Sequence, residues 1–225
     1  MNKRIALLPA LFLALSSLVY TGCKDDEDTT APQITLNAVN GDIDLELQLQ
    51  DDYVEPGATA VDDEDGTINV SISGSVDTDL KGTYEITYSA TDQAGNTSTA
   101  TRQVVVYNSA DFLGGNYTNA VDSCSSTPPS TFNATVTTSN TLNGVFSIKN
   151  FGAFGQTIEV ECDYVESTNK ITADVPQSLG GGANLTNVFN SSAVTSNSGP
   201  VIFKINYQWL DSGGAGDICT STYTK

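Results

Sequence analysis

The stretch GTYEITYSATDQAGNTSTATRQVVVY, residues 82–107, has the clearest strand pattern in the first half of the chain. Its first part alternates large apolar and polar side chains, which is the period-two pattern of a half-buried strand. Residues 92–96 combine Asp, Gly and Asn, which favour tight turns, and residues 102–107 form a second apolar-rich run. The stretch therefore predicts a β-hairpin that lies against a core.

Similar short runs precede this hairpin. Leu45, Leu47 and Leu49 alternate with polar residues, and Val70 and Ile72 do the same. Strands separated by turn signals about every 8–12 residues are typical of a β-sandwich. The sequence therefore predicts an all-β domain here, followed by a boundary near residues 108–110, where the strong excess of acidic residues ends.

Several short motifs are spaced through this first domain. They are Pro32-x-Ile34-Thr35-Leu36, Tyr53-x-Glu55-x-Gly57-Ala58-x-Ala60-x-Asp62, Asp65-Gly66, Val76-Asp77-Thr78, Gly82-Thr83-Tyr84, Thr87-Tyr88-x-Ala90-x-Asp92-x-Ala94-Gly95-Asn96 and Arg102-x-Val104-x-Val106. With these motifs residues 32–107 resemble a bacterial immunoglobulin-like (Ig-like) domain of the type first noted in pesticidal crystal proteins. The resemblance implies a seven-stranded sandwich that serves as a spacer or adhesion module and has no catalytic activity.

An acidic run in this domain has two interpretations. Carboxylates are favoured ligands of hard cations, so a calcium site formed by Asp62, Asp65 and Asp92 is one of them. The EF-hand pattern fails, because its twelfth position is Ile72 instead of Glu. The other interpretation, which the Asp65-Gly66 pair favours, is that the Asp side chains cap backbone N–H groups in turns.

Residues 111–225 are rich in Ser, Thr, Asn and Gly, yet apolar alternation persists through them. We predict a second antiparallel β domain, either a barrel or a sandwich, of seven or eight strands. No segment has a helical period, and a turn near residues 184–189 is the one candidate for helical structure. The Gly115-Asn116-Tyr117 start and the terminal Thr222-Tyr223-Thr224-Lys225 strand are similar to lipocalin-like C-terminal domains of Bacteroidota lipoproteins.

Three cysteines lie in this second domain. Cys162 lies on the apolar face of an alternating strand, which favours a buried core thiol. Cys124 follows the first strand and Cys219 begins the last, and the first and last strands are neighbours in a closed up-and-down barrel. We therefore predict a Cys124–Cys219 disulfide, with Cys162 left as a thiol.

Tyr207 and Trp209 are the candidate ligand-binding residues. They are two residues apart and therefore share a strand face, where aromatic rings could stack on sugars. The same stripe includes Phe203 and Ile205, so the alternative, favoured by the pattern, is a core or a barrel lining. A hollow barrel would turn that lining into a pocket.

The N-terminus has the pattern of an export signal. A positively charged start, a short apolar run and small residues before Cys23 predict a signal peptide over residues 1–22. The residues before Cys23 resemble the lipobox of bacterial lipoproteins, and Lys24-Asp25-Asp26-Glu27 resembles the surface-export signal of Bacteroidota. The resemblance implies lipidation at Cys23, an acidic tether over residues 23–31, and display on the outer membrane.

Composition excludes several functions. The 225 residues carry 27 Asp and Glu against 9 Lys and Arg, a net charge of −18, which argues against nucleic acid as a partner. The chain has no His, so it lacks an imidazole base. Glu159 and Glu161 alternate with apolar residues and fit a solvated strand face better than a glycosidase pair. No catalytic residue is predicted.

We therefore expect a surface-exposed lipoprotein that is not an enzyme. Its membrane partner is the N-terminal lipid, its Ig-like domain is a stalk, and the distal domain binds an extracellular ligand, a glycan. The alternatives are an accessory or adhesion subunit that binds a surface protein, and a carrier of a small apolar ligand. The only cofactor that the sequence suggests is calcium.

Overall fold

The computed structural model describes residues 27–154, 157–189, 191–194 and 200–225. These residues form seventeen strands in two β domains, joined by short connections. The predicted signal peptide and Cys23 lie outside the described residues. Among the residues described, no helix is long and apolar enough to cross a membrane.

The first domain is a sandwich of two sheets. Its strands are β1 (Gln33–Leu36), β2 (Leu45–Gln48), β3 (Ala58–Asp62), β4 (Gly66–Ile68), β5 (Ser71–Ser73), β6 (Gly82–Thr91) and β7 (Thr97–Tyr107). One sheet has the order β1-β3-β4 and the other β2-β7-β6-β5, with β2 parallel to β7. The predicted hairpin is the long β6–β7 pair, whose register runs from Gly82–Val106 to Thr91–Thr97.

A buried arginine ties the two sheets of the sandwich together. Arg102, on β7, is fully buried. Its Nε donates to the Tyr88 hydroxyl at 2.9 Å, Nη2 donates to the Asn37 carbonyl at 2.8 Å, and Nη1 donates to the Ile43 carbonyl. The Tyr88 hydroxyl in turn donates to Glu55. This network fixes the loops before β2 and β3 onto the core, since a buried charge needs partners for its N–H groups.

The second domain is a closed antiparallel barrel. Its strands are β8 (Gly115–Cys124), β9 (Ser130–Thr138), β10 (Val145–Lys149), β11 (Glu159–Val165), β12 (Lys170–Thr172), β13 (Gln177–Gly180), β14 (Ala183–Val188), β15 (Ser191–Val194), β16 (Ile202–Leu210) and β17 (Gly216–Thr224). The ring closes because β17 pairs with both β8 and β16. The predicted fold class, a sandwich followed by a second antiparallel β domain, is confirmed.

Broken strands reconcile ten strand segments with an eight-stranded barrel. β14 and β15 pair with the same edge of β16, at residues 207–210 and 202–204 respectively. β13 continues the course of β12, and the Gln177 side chain bonds the backbone N–H and carbonyl of Glu161 at 2.8 Å each. The predicted turn at 184–189 is therefore wrong, because pairing with β16 holds β14 as a strand.

The barrel interior is filled by aromatic side chains along much of its length. The rings of Phe203 and Tyr223 stack with centroids 4.4 Å apart, and Tyr117 packs edge-on against both. All three residues are fully buried. Such contacts add to the free energy of apolar burial and fix ring geometry.

The order of the strands gives the barrel two distinct ends. In an up-and-down barrel, successive connections lie at alternate ends. The connections at 125–129, 150–158, 181–182 and 211–215 therefore share one end, here called the distal end. The β9–β10 connection at 139–144 and the β11–β12 connection lie at the opposite end, called the proximal end.

The first domain docks on the proximal end through Asn108, which directly follows β7. Asn108 is 1% exposed. Its Nδ2 donates to the carbonyls of Ser139, Leu142 and Val145 at 2.9–3.1 Å, and its Oδ1 accepts the N–H groups of Ala110 and Gly144 at 2.9 Å. One side chain thereby satisfies a barrel hairpin and the domain connection together.

Further contacts between the two domains lie on both sides of Asn108. Lys81 of the first domain forms an ion pair with Asp111 at 2.7 Å. Burial alone would raise the pKa of Asp111, but hydrogen bonds from the Lys81 ammonium and other donors hold it below its usual value. Gln48, at the end of β2, accepts from Asn143 at 2.8 Å and donates to Glu166 at 2.7 Å.

A disulfide lies on the seam where the barrel closes. Cys124 at the end of β8 faces Cys219 on β17, and their sulfur atoms are bonded. The bridge joins residues 95 positions apart in sequence. Cys162 is a buried free thiol, and burial raises its pKa far above the usual value. The thiolate that reacts with disulfide reagents is therefore disfavoured at Cys162.

We predict that reducing the Cys124–Cys219 bridge lowers the free energy of unfolding by about 2–4 kcal/mol, because a long loop is released in the unfolded chain. Urea unfolding of residues 24–225, with and without reductant, measures the difference. In the oxidised protein, no thiol should react with a disulfide reagent before unfolding and one, Cys162, should react afterwards. Two or more reactive thiols in the oxidised, unfolded protein would contradict the pairing.

Asn108→Ala should lower the free energy of unfolding by at least about 2 kcal/mol, because the buried Ala110 and Gly144 N–H groups lose their acceptor. Asn140→Ala is the matched control, since Asn140 lies in the same connection but is exposed and accepts from Lys81 through its backbone carbonyl. Chemical denaturation of both variants tests this. Equal stabilities for the two variants would show that the Asn108 amide does not hold the joint.

Candidate functional site

Two aromatic residues form a rim at the distal end of the barrel. Trp209 is the second-last residue of β16 and is half-buried. Phe154 follows the 3₁₀ turn Phe151–Ala153 in the β10–β11 connection and is also half-buried. The two rings meet edge-on with centroids 5.7 Å apart. Trp209 and Phe154 are called the aromatic rim below.

Tyr207 lies below the rim, inside the barrel. It is fully buried and packs against Phe151 with centroids 4.8 Å apart. The prediction that Tyr207 and Trp209 offer a shared ligand-binding surface is therefore wrong for Tyr207. The alternation along β16 points both side chains inward, but Tyr207 lies one strand repeat deeper and is covered by its neighbours.

A buried carboxylate supports the rim from below. Asp122, on β8, is 6% exposed and accepts hydrogen bonds from the Tyr207 hydroxyl at 2.9 Å and from the Ser221 hydroxyl at 2.7 Å. Burial raises the pKa of Asp122, while these two hydrogen bonds act against the rise. Burial, and then the negative charge of Asp122, raise the pKa of Tyr207. This network fixes the depth and angle of the Tyr207 ring.

Acidic side chains also order the loops beside the rim. Asp217, which pairs in register with Trp209, accepts from the Ser126 N–H at 2.8 Å and from the Ser125 and Ser126 hydroxyls. These hydrogen bonds hold the pKa of Asp217 well below its usual range. Asp211 accepts the N–H groups of Gly213 and Ala215 at 2.8 Å. The rim is thus a preorganised aromatic edge among carboxylates and hydroxyls.

The predicted calcium ligands are only partly brought together. Asp62 and Asp92 offer carboxylate oxygens to one cluster, and the third member is Asp28. Asp65 is elsewhere: its oxygens accept from the Gln93 N–H at 2.7 Å and from Gln93 Nε2 at 2.9 Å. The prediction that Asp65 joins this cluster is therefore corrected, because its side chain instead fixes the β6–β7 turn.

The two glutamates considered for glycosidase chemistry lie on the outer face of β11. Glu159 and Glu161 are both exposed, and Glu159 accepts from the Ser147 hydroxyl of the neighbouring strand at 2.5 Å. They alternate with the buried Val160 and Cys162. Their position is that of a solvated strand face.

Three residues of these sites, Asp28, Phe154 and Asp122, are not among the predicted site residues. Asp28 looked like part of a charged tether, and its contact with residues 62 and 92 is long-range. Phe154 belongs to a Gly-rich segment, FGAFG at 151–155, where an aromatic residue between glycines is the available signal. Asp122 lies at an inward position of β8, so an acidic residue in an otherwise apolar alternation could have marked it.

Comparison with known proteins identifies the first domain. A family model described as a bacterial surface protein, Ig-like domain, matches residues 37–106. No curated protein matches the chain. The predicted Ig-like domain is confirmed by the family match, which also indicates a location in the cell envelope.

Three solved structures are similar to the chain at low scores. A lipoprotein from Bacteroides thetaiotaomicron is 22% identical, with a TM-score of 0.37, and the match covers 86% of this chain and 99% of that one. The CBM51-2 and INT domains of Clostridium perfringens ZmpB, in complex with GlcNAc, are 15% identical, with a TM-score of 0.27 and coverage of 86% and 44%. The M60 catalytic domain of ZmpB with its CBM51-1 and CBM51-2 domains is 13% identical, with a TM-score of 0.27 and coverage of 87% and 23%.

The residues that match the family model lie within the seven-stranded sandwich of strands β1–β7. Residues 37–106 belong to the Ig-like domain family of bacterial surface proteins.

Proposed function

We propose that the protein is a surface-displayed lipoprotein in which the Ig-like domain is a rigid stalk and the distal end of the barrel binds an extracellular glycan. The lipid is carried by Cys23, and the acidic segment that follows is the tether. In this proposal the protein is a binding module and performs no catalysis.

The position of the domain joint is the observation that carries the proposal. Asn108 and its neighbours join the Ig-like domain to the proximal end, at the 139–144 connection. The aromatic rim lies at the other end of the same barrel. A domain anchored through its N-terminus therefore holds the rim on the side that faces away from the anchor.

The chemistry of the rim favours a sugar over an apolar ligand. Trp209 and Phe154 offer apolar ring surface, while Asp211, Asp217 and the Ser125–Ser126 hydroxyls supply acceptors and donors nearby. A carrier of a small apolar ligand would need a cavity in the barrel, and the packed rings of Phe203, Tyr223 and Tyr117 weigh against one.

An adhesion role has its own supporting feature, on the Ig-like domain. A groove of about 990 Å³ runs beside the edge strand β2 and is lined by Val39, Ile43 and Val54 together with acidic residues. These three apolar side chains are exposed, Val54 by 77%. A surface protein that docks here would make the chain an accessory subunit, and this second function does not use the rim.

Glycan binding is tested with Trp209 as the reporter, since it is the one Trp of the chain. Titration of residues 24–225 with a panel of oligosaccharides and polysaccharides should give a saturable change in fluorescence for at least one glycan. Phe154→Ala keeps the reporter and should weaken that binding at least about tenfold, a loss of about 1.4 kcal/mol. Trp209→Ala, followed by calorimetry, should weaken it as well.

Phe112→Ala is the matched control. Phe112 is half-buried and meets Tyr164 edge-on at 5.0 Å, as Phe154 meets Trp209, but it lies at the proximal end. It should bind the glycan like the wild type. A glycan affinity that falls equally in Phe154→Ala and Phe112→Ala would contradict a site at the rim. If no glycan of the panel changes the Trp209 fluorescence, glycan binding at the rim is contradicted and docking of a surface protein in the groove is favoured.

A further inference from the structure

We propose that Asp28, Asp62 and Asp92 form a calcium site that clips the N-terminal segment onto the Ig-like domain. One carboxylate oxygen from each residue lies within 4.8 Å of the others. The three residues come from separate parts of the chain: the segment before β1, the end of β3, and the β6–β7 turn. A bound cation would therefore crosslink all three segments.

The strongest sign of a cation site is the buried carboxylate of Asp62. Its side chain is 5% exposed, and its Oδ1 accepts the N–H groups of Glu64 and Asp65 at 3.0 Å each. Its Oδ2 is buried and has no hydrogen-bond partner among the described residues. A buried carboxylate oxygen without a partner is costly, and a cation at this position would remove that cost.

The other two carboxylates are held in place by the backbone. Asp92 is 7% exposed, and its Oδ1 accepts the N–H groups of Gly95 and Asn96 at 2.7 Å. Asn96 also donates to the backbone carbonyl of Asp28 at 3.1 Å, while Asp28 Oδ1 accepts the Thr30 N–H at 2.9 Å. The N-terminal segment therefore reaches the cluster in a defined conformation.

No basic residue neutralises this cluster in the described part of the Ig-like domain. Lys81 is paired with Asp111, and Arg102 is bonded to Tyr88 in the core. Among the described residues of the Ig-like domain, no basic side chain is therefore left to balance the negative charge of the three carboxylates, which favours binding of a cation from solution.

The donor set selects the class of cation. All three ligands are carboxylate oxygens, which suit hard cations, whereas zinc and copper sites favour imidazole or thiolate. Calcium accepts six to eight oxygens in irregular geometry and can complete its shell with water, but magnesium demands near-octahedral ligands. Three protein carboxylates predict an affinity of the extracellular class, with a Kd of about 10⁻⁴–10⁻³ M.

The site would control the flexibility of the tether. Bound calcium would fix the chain at Asp28, which lies only a short segment after Cys23. If Cys23 carries the lipid, as the proposed function holds, calcium would set how freely the stalk moves on the membrane. The clip itself does not depend on that anchor and can be tested without it.

Calorimetric titration of residues 24–225 with calcium chloride tests the site, with magnesium chloride as the comparison ion. We expect one calcium per chain in the stated range and binding at least about tenfold weaker for magnesium. Asp28→Asn and Asp62→Asn should each weaken calcium binding at least about tenfold. Asp63→Asn, in the same acidic run but exposed and outside the cluster, should bind within about twofold of the wild type.

Hydrogen exchange distinguishes ordering of the N-terminal segment by calcium from a change in the stability of the whole domain. Hydrogen exchange at residues 28–31 should slow when calcium is added to the wild type and stay unchanged in Asp28→Asn, a residue whose loss leaves the core intact. Absence of saturable calcium binding at about 10 mM, well above the weakest expected Kd, would overturn the proposal. So would equal weakening by Asp63→Asn and Asp28→Asn, because it would indicate diffuse attraction to the acidic surface. Glycan titrations of the same Asp variants show whether a failure of calcium binding is independent of glycan binding at the rim.

Discussion

The arrangement of the molecule depends on the buried amide of Asn108. It stands directly after the last strand of the Ig-like domain and directly before the first turn of the barrel domain. Its two amide hydrogens and one oxygen serve backbone groups of the β9–β10 connection and of its own segment. Because each of those groups would be costly to bury alone, the barrel cannot tilt away without breaking several hydrogen bonds at once.

This constraint acts at one end of a closed barrel, and closure carries its effect to the other end. The β8–β17 pairing and the Cys124–Cys219 bridge seal the ring, and stacked rings fill it. A sealed and packed barrel transmits orientation as a rigid body. The aromatic rim is therefore fixed relative to the Ig-like domain, although no residue of the rim touches the joint.

Period-two patterns were sufficient to predict both β domains, and barrel closure made the Cys124–Cys219 pairing a reasonable expectation. They could not predict the breaks between β12 and β13 or between β14 and β15, since those follow from pairing with strands distant in sequence. Alternation also put Tyr207 and Trp209 on one face without giving their depth, and depth separates a buried ring from an accessible one.

In the acidic cluster, too, the choice of residues depends on contacts between segments that are distant in sequence. A run of carboxylates at 62–65 was visible in the sequence, but its choice of partners depends on the turn at 92–96 and on a segment more than thirty residues before it. Asp65 was as good a candidate as Asp28 by residue type. In the structure, Asp65 accepts a hydrogen bond from the Gln93 side chain and so lies outside the cluster. Asp28 lies within it because the Asn96 side chain donates to the Asp28 backbone carbonyl.

A distance measurement between the two domains tests the rigid joint most directly. Spin labels at the exposed positions Ser73, in the Ig-like domain, and Thr131, in the barrel, would be followed by double electron–electron resonance. A joint held by Asn108 predicts one narrow distance distribution, which broadens in Asn108→Ala and stays narrow in Asn140→Ala. A broad distribution in the wild type would contradict a stalk that orients the rim.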